Sequence, residues 1–323
     1  MLGALSGDVI GSMIEYRGIK TKDFLLFDRF NNFTDDSVLT LALADALINN
    51  TSISDKYVEW GVAYLEKDYG LSFRYWLTDV SHTPYNSFGN GSAMRVGFIP
   101  YIAKDIDDAE ALAIQSALPS HNHPEGIKGA CATAVSARMA LEGYTKQEIK
   151  ETIIQYYGYD LNRTLNEIRP SYKYEVSCQK SVPESIIAFL ESENFEDAIR
   201  NTISLGGDAD TMASITGAIA YPFYKNDISF NIIWEEILSK KIFDDRCLIT
   251  INQFLDNYSQ RTYVKSDINL MGLQNNYVSE NKDTEIITIS MVKNKKRISL
   301  TKWWISLIKE INLYDLYLIV NCI

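Results

Sequence analysis

Cysteine is scarce and scattered. The 323 residues hold four, Cys131, Cys178, Cys247 and Cys322, with no CxxC or CxxH spacing among them. Neither a structural zinc site nor the disulfide framework of a small secreted domain is expected. Positive charge is also short. The chain has 31 Lys and Arg against 42 Asp and Glu, a net charge of −11 at pH 7. That excludes a general binder of nucleic-acid backbone, which needs a basic face. Long apolar runs are missing. The best of them, Trp303 to Ile323, is broken by Lys309, Glu310 and Asp315 and makes a poor membrane span. The opening MLGALSGDVIG lacks the basic segment of a signal peptide, so a reducing cytoplasm is the expected location. No sustained alternation of β-branched residues occurs before residue 264, which argues against a sheet-built domain.

What is present is 46% hydrophobic content, enough for a sizeable core. Its spacing is helical. The expected fold class is all-α, a compact orthogonal helical bundle rather than a coiled coil. Composition shifts near residue 265, so the expected organisation is a helical domain over 1–264 and a C-terminal extension over 265–323. Within the extension, Thr284 to Val292 alternates like a strand, Asn294 to Arg297 is a basic turn, Leu300 to Ile311 is amphipathic and Leu316 to Val320 suits a second strand. A small α+β appendage is the reading.

The informative stretch is Ser204 to Ala220, SLGGDADTMASITGAIA. Gly206 and Gly207 permit a tight turn. Asp208, Asp210 and Thr211 then precede Met212, Ile215 and Ile219, which recur at helical spacing. Two carboxylates and a hydroxyl at a helix start suit Mg²⁺ or Mn²⁺, although one Asp could simply cap the helix. Phe33 to Ile48 repeats the arrangement. Thr34, Asp35 and Asp36 precede a helix whose Val38, Leu39, Ala42, Ala46 and Leu47 face a core. Four carboxylates brought together would repel strongly unless cations lay between them, and two divalent ions about 3.5–4 Å apart meet that need.

Leu2 to Ile14 reads as a helix with a glycine-lined face for close packing. Asp8 and Glu15, seven residues apart, fall roughly on one side of it, and the acid at the helix end could simply be a surface acid. Arg17 to Asn32 is a long loop, a class that tends to be functional. Ser54 to Asp68 is an amphipathic helix with Tyr57, Trp60, Ala63 and Tyr64 inward. Ser81 to Pro100 is a loop with regular structure forbidden until about Ala93. Its FGNGS segment can present backbone N–H groups to phosphate, or be an ordinary turn. Tyr85 and Phe88 there could stack on a base or ribose, or be core. His121 and His123 precede a small-residue helix from Pro124 to Leu141, and suit a phosphate contact or a capping role better than a metal. Thr145 with Glu148 makes a capping box for a helix to Tyr157. Ser181, Pro183 and Glu184 suggest another, for a helix to Leu190. Phe195–Ser204, Trp234–Leu238 and Cys247–Tyr258 read as further helices.

Five motifs in order, GALSGDVIGSMIE, FTDDS, FGNGSAMR, SHNHPEG and SLGGDADT, resemble the ADP-ribosylglycohydrolase family. That family includes the dinitrogenase reductase-activating glycohydrolase and the ADP-ribosyl-acceptor hydrolases. The similarity spans about Met1 to Ser259, and DLNRTLNEIRP and VSCQKSVPESIIAFLES resemble a bacterial branch. The resemblance implies an all-α fold with two Mg²⁺ ions at the base of a cleft. It assigns Thr34, Asp35, Asp36, Asp208, Asp210 and Thr211 as metal ligands. It matches Glu15 to a glutamate implicated in catalysis, with Asp35 as the other carboxylate able to move a proton. Gly89, Gly91, Ser92, Met94 and His121 match segments that contact ADP-ribose, with Tyr85, Phe88 and Asn90 beside them. The implied activity is Mg²⁺-dependent release of ADP-ribose from an ADP-ribosylated protein or small molecule, by cleavage at ribosyl C1″. The alternatives are a non-catalytic ADP-ribose binder and a two-metal phosphohydrolase acting on the pyrophosphate.

Overall fold

Short oxygen-bearing side chains set the helix starts. The computed structural model describes residues 1–272 together with 279–281, 286–290 and 297–301. In chain order its helices are α1 (Leu2–Ser12), α2 (Asp35–Ile48), α3 (Ile53–Ala63), α4 (Leu71–Thr78), α5 (Gly91–Met94), α6 (Ile99–Ile102), α7 (Ile106–Ala117), α8 (Pro124–Leu141), α9 (Lys146–Tyr157), α10 (Leu165–Ile168), α11 (Cys178–Leu190), α12 (Phe195–Ile203), α13 (Ala209–Phe223), α14 (Ile228–Ser239) and α15 (Asp245–Asn257). A 3₁₀ turn, Arg95–Phe98, joins α5 to α6. Thr34, Ser52, Asp105, Thr145, Thr164, Asn194, Asp227 and Asp244 each cap a helix by accepting a first-turn N–H. Each such cap stabilises its helix by about 1 kcal/mol.

The seam between α1 and α13 positions the site. Gly3, Gly7 and Gly11 recur every fourth residue and so form one stripe of α1. A Cβ at Gly3 would stand 2.2 Å from the Gly217 carbonyl oxygen, one at Gly7 2.1 Å from that of Ala213, and one at Gly11 2.4 Å from Asp210 Cα. The two helices therefore meet backbone on backbone. Asp8 on α1 is thereby carried beside Asp210 in the first turn of α13. Helix α2 lies against α1 and the 3₁₀ turn, and α8 runs between α7 and α13. The loop from Arg17 to Asn32 is tied down at its end, where Asn31 Nδ2 donates to the Val9 carbonyl at 2.8 Å. That contact aims Thr34 and the start of α2 at Asp8.

Several sequence expectations change. The expected loop 81–100 contains α5 and the 3₁₀ turn, and Pro100 sits in the first turn of α6, where its missing N–H is harmless. Ser181, Pro183 and Glu184 do not cap a helix. They lie inside α11, which begins at Cys178 after Ser177. Ala63 is exposed, and Gly61 is buried in its place. Helices α4, α7 and α10 are additions, although Asp105 with Asp108 marks the start of α7 by the usual capping logic.

Beyond α15 the chain follows the helical body to Gly272 in extended form. Ser266 N–H donates to Glu142 Oε2 at 2.8 Å, Asn269 N–H to Asp107 Oδ1 at 3.0 Å and Met271 N–H to Glu110 Oε2 at 2.8 Å. Leu270 is 1% exposed. Farther on, β1 (Ser279–Asn281), β2 (Ile286–Ser290) and β3 (Arg297–Thr301) pair antiparallel in that order, with Ile287 opposite both Glu280 and Leu300. Of the expected strand 284–292, residues 286–290 form β2, and Thr284, Glu285, Met291 and Val292 lie outside the described residues. Leu300 and Thr301, expected to open an amphipathic segment, end β3, and Arg297, the last residue of the expected basic turn, opens it. The rest of that segment, the rest of the turn, Leu316–Val320 and Cys322 lie outside the described residues. Cys131, Cys178 and Cys247 are buried free thiols. Among the described residues, no helix is long and apolar enough to cross a membrane.

Candidate active site

A cleft of about 700 Å³ opens over the start of α13. Its floor is acidic. Carboxylate oxygens of Asp8, Asp36 and Asp210 lie within 4.8 Å of one another, as do those of Glu15, Asp208 and Asp210. The two triads share Asp210. Hydroxyls hold them in place. Thr34 Oγ1 donates to Asp8 Oδ1 at 2.7 Å, Thr211 Oγ1 to Asp36 Oδ2 at 3.2 Å, and the Ser37 hydroxyl to Asp8 Oδ2. Asn90 Nδ2 donates to Asp208 Oδ2 at 2.8 Å, linking the glycine loop to α13.

Above the floor stand two walls. On one side, Tyr174 donates its hydroxyl to Glu15 Oε1 at 3.0 Å, and its ring stacks on Tyr16 with centroids 5.7 Å apart. On the other, Gly89, Asn90, Gly91 and Met94 face Tyr85 and His121. A Cβ at Gly91 would come within 3.1 Å of His121 Nε2, so any side chain there would press on that ring.

The floor carries concentrated acid with no ion-paired basic side chain among the described residues to balance it. Burial raises the pKa of Asp8, Asp208 and Glu15. It raises Asp35, Asp36 and Asp210 well above the carboxylate range, with neighbouring carboxylates adding to it. Among the described residues, no Lys or Arg forms an ion pair with any of the six. Asp36 Oδ1 is buried with no hydrogen-bond partner. A buried carboxylate oxygen without a donor requires either a proton or a metal. The donor set is hard oxygen throughout, so these residues fit Mg²⁺ or Mn²⁺.

Of the residues singled out in the sequence, Glu15, Asp35, Asp36, Tyr85, Gly89, Asn90, Gly91, Met94, His121, Asp208, Asp210 and Thr211 line this cleft. Asp35 belongs to neither triad. Thr34, Phe88 and Ser92 are not in the lining. Thr34 caps α2 and holds Asp8. The Phe88 ring packs edge-on against His123 at 5.4 Å. Ser92 Oγ donates to the Gly126 carbonyl at 2.6 Å. His123 caps α8 by accepting the Glu125 N–H. Asp8, expected only to share a side of the helix with Glu15, is fully buried. The signal for it was the glycine stripe beside it, which buries that part of α1. Tyr16, Asp68 and Tyr174 also line the cleft and carried no signal in the sequence.

Comparison with known proteins points the same way. ADP-ribosylhydrolase ARH3 of Gallus gallus is 24% identical, over 69% of this chain and 84% of that protein. An uncharacterized protein of Archaeoglobus fulgidus is 25% identical, over 68% of this chain and 84% of its own length. A solved structure described as an ADP-ribosylglycohydrolase-related protein complex superimposes with a TM-score of 0.53 at 21% identity, covering 77% of this chain and 96% of that one. That likeness shows the fold. Residues 1–220, which contain both acid clusters, match the ADP-ribosylglycohydrolase family model, and the chain therefore belongs to the ADP-ribosylglycohydrolase family.

Proposed function

We propose that the protein is a divalent-cation-dependent hydrolase that cleaves the ribosyl C1″ bond of an ADP-ribosylated acceptor and releases ADP-ribose. The observation that carries this is the pair of carboxylate triads sharing Asp210, with every member but the buried Asp8 lining the cleft. Its relatives named ADP-ribosylhydrolase support the substrate class. Asp8, Asp36, Asp208, Asp210 and Thr211 would hold two Mg²⁺ or Mn²⁺ ions, with Glu15 and Asp35 at their edge. When bound, the ions supply an acidified water and a fixed grip on ribose hydroxyls.

The chain's own residues do the rest. The Gly91 N–H and the His121 ring offer neutral donors to the pyrophosphate, which suits a protein whose cleft is otherwise acidic, while the N–H groups of Gly89 and Asn90 are taken by Ser87 Oγ and the Val176 carbonyl. Tyr85 flanks that side. Glu15, oriented by the Tyr174 hydroxyl, accepts the proton of the attacking water. Its position at the edge of the acidic floor puts it within reach of a water there. As water adds to C1″, the bond to the acceptor breaks, its electron pair leaves with the acceptor, and charge builds on an oxocarbenium-like ribose above the carboxylates.

The test is product analysis. ADP-ribosylated acceptors are incubated with and without Mg²⁺ and the products weighed by mass spectrometry. Free ADP-ribose and intact acceptor, formed only with the metal, support the reading. AMP instead would mean pyrophosphate cleavage. No turnover on any acceptor, with ADP-ribose still bound, would mean a binder.

A further inference from the structure

Arg95 is fully buried and has no carboxylate partner among the described residues. It lies over the Tyr57 ring, 4.3 Å from the centroid. One nitrogen, Nη2, donates to the Ser116 carbonyl at 2.6 Å and to Ser120 Oγ at 3.1 Å. Its Nε and Nη1 are buried without partners. An uncompensated guanidinium is costly to bury, so its retention asks for a purpose.

Ser120 supplies one. Its hydroxyl, fully buried, has two neighbours: Arg95 Nη2 and His121 Nδ1 at 2.8 Å. Arg95 can only donate, so Ser120 Oγ accepts there. The single hydroxyl proton then has one available acceptor, His121 Nδ1. Were Nδ1 protonated instead, the hydroxyl proton would be buried with nowhere to go. Nδ1 therefore accepts, and the proton of the neutral ring sits on Nε2. That atom faces Gly89 and Gly91 in the cleft. Burial, and the Arg95 charge after it, push the His121 pKa well below its usual value, so the ring stays neutral.

We propose that Arg95 and Ser120 are positioning residues that fix His121 as a neutral Nε2–H donor aimed at an anionic oxygen of the bound nucleotide's pyrophosphate. This rests on the function proposed above. Arg95 acts at one remove, through the hydroxyl, and places the only buried positive charge of the relay behind the phosphate-facing wall.

The experiment uses the full chain, uniformly ¹⁵N-labelled, at pH 8. Long-range ¹H–¹⁵N correlation reads the tautomer of each of its three histidines. His121→Asn identifies the His121 signals. Calorimetry with free ADP-ribose and Mg²⁺ reads affinity. Wild type should show His121 as the Nε2–H form. Arg95→Met removes a buried side chain and can fail to fold, so Ser120→Ala, which removes only the hydroxyl, is the deciding variant. It should lose the pure Nε2–H pattern and weaken ADP-ribose binding about three- to tenfold, the worth of one hydrogen bond. An Nδ1–H pattern in wild type, or an unchanged pattern and affinity in Ser120→Ala, overturns the proposal. An intact Nε2–H pattern in wild type without ADP-ribose binding would count against the proposed function instead.

Discussion

Adding Mg²⁺ should stabilise the protein, and more strongly as pH rises. Within each triad the carboxylates lie no more than 4.8 Å apart. At an effective dielectric of about 20, two full charges at that distance repel by roughly 3 kcal/mol. Without metal, the folded protein relieves this by holding protons. The folded pKa values of Asp35, Asp36 and Asp210 are well above their unfolded values. The folded state then binds more protons than the unfolded one, and stability without metal falls as pH rises through the raised values. Metal binding removes the repulsion by another route and competes with those protons. At one hundred times its Kd, one ion stabilises by about 2.7 kcal/mol. For a chain of this size that is a Tm rise of roughly 4 °C per site. Thermal unfolding at pH 5.5 and pH 8, with chelator or with 10 mM Mg²⁺ (about one hundred times a Kd near 0.1 mM), measures it. The metal-free Tm should be higher at pH 5.5, and the Mg²⁺ shift larger at pH 8. Asp210→Asn, which weakens both triads at once, should lose more than half of the shift. A shift that is equal at both pH values, or one that survives in Asp210→Asn, would refute the reasoning.

Other expectations follow from the same geometry. Glu15→Gln keeps shape and the Tyr174 contact but takes one charge from one triad, so it should weaken Mg²⁺ binding less than Asp210→Asn does while kcat at saturating Mg²⁺ falls on the order of 10²–10⁴-fold; a change within threefold would move the proton-accepting role to Asp35. Ending the chain after Tyr263 removes the buried Leu270 and takes N–H donors from the buried Glu110 and Glu142, a loss of about 4–8 kcal/mol, so it should melt far below the full chain, whereas ending after Gly272 should not. Equal melting of the two truncations would place the end of the helical domain near residue 264. Gly7→Ala drives a methyl to 2.1 Å from the Ala213 carbonyl and must spread the α1–α13 seam, so Tm should fall by several degrees and Mg²⁺ affinity with it. A Tm at or above wild type would mean the seam relaxes freely.

The helical class was legible because apolar residues recur at helical spacing and because no segment before 264 alternates. The two acid clusters were legible for a local reason: each is a Thr and two Asp at a helix start, a pattern that needs no knowledge of what packs on it. Asp8 was not, because its partners Thr34 and Ser37 lie 26 and 29 residues away and only folding brings them to it. Tyr174 reaches Glu15 across 159 residues and was invisible for the same reason. Pro183 misled because proline favours helix starts. In α11 it stands five residues inside, where it forfeits one backbone bond yet the helix continues. Phe88 illustrates a limit of composition: an aromatic beside a glycine loop suits stacking on a ligand, and here it covers His123.

The glycine stripe of α1 also bears on which ion the floor accepts. Long side chains between two helices act as springs, and a site on such helices adapts to its occupant. Here Gly11 lets the backbone of α1 touch Asp210 Cα itself, and Asp8 is a short side chain on the same helix. The gap between Asp8 and Asp210 is thus set by two main chains in contact, as in a closed calliper. Oxygens gather around Mg²⁺ at 2.0–2.1 Å and around Ca²⁺ at 2.3–2.6 Å. To admit the larger radius, such a site would have to move a helix rather than a rotamer, and the size of the ion would be gauged by the absence of side chains at Gly7 and Gly11, within about one turn of Asp8.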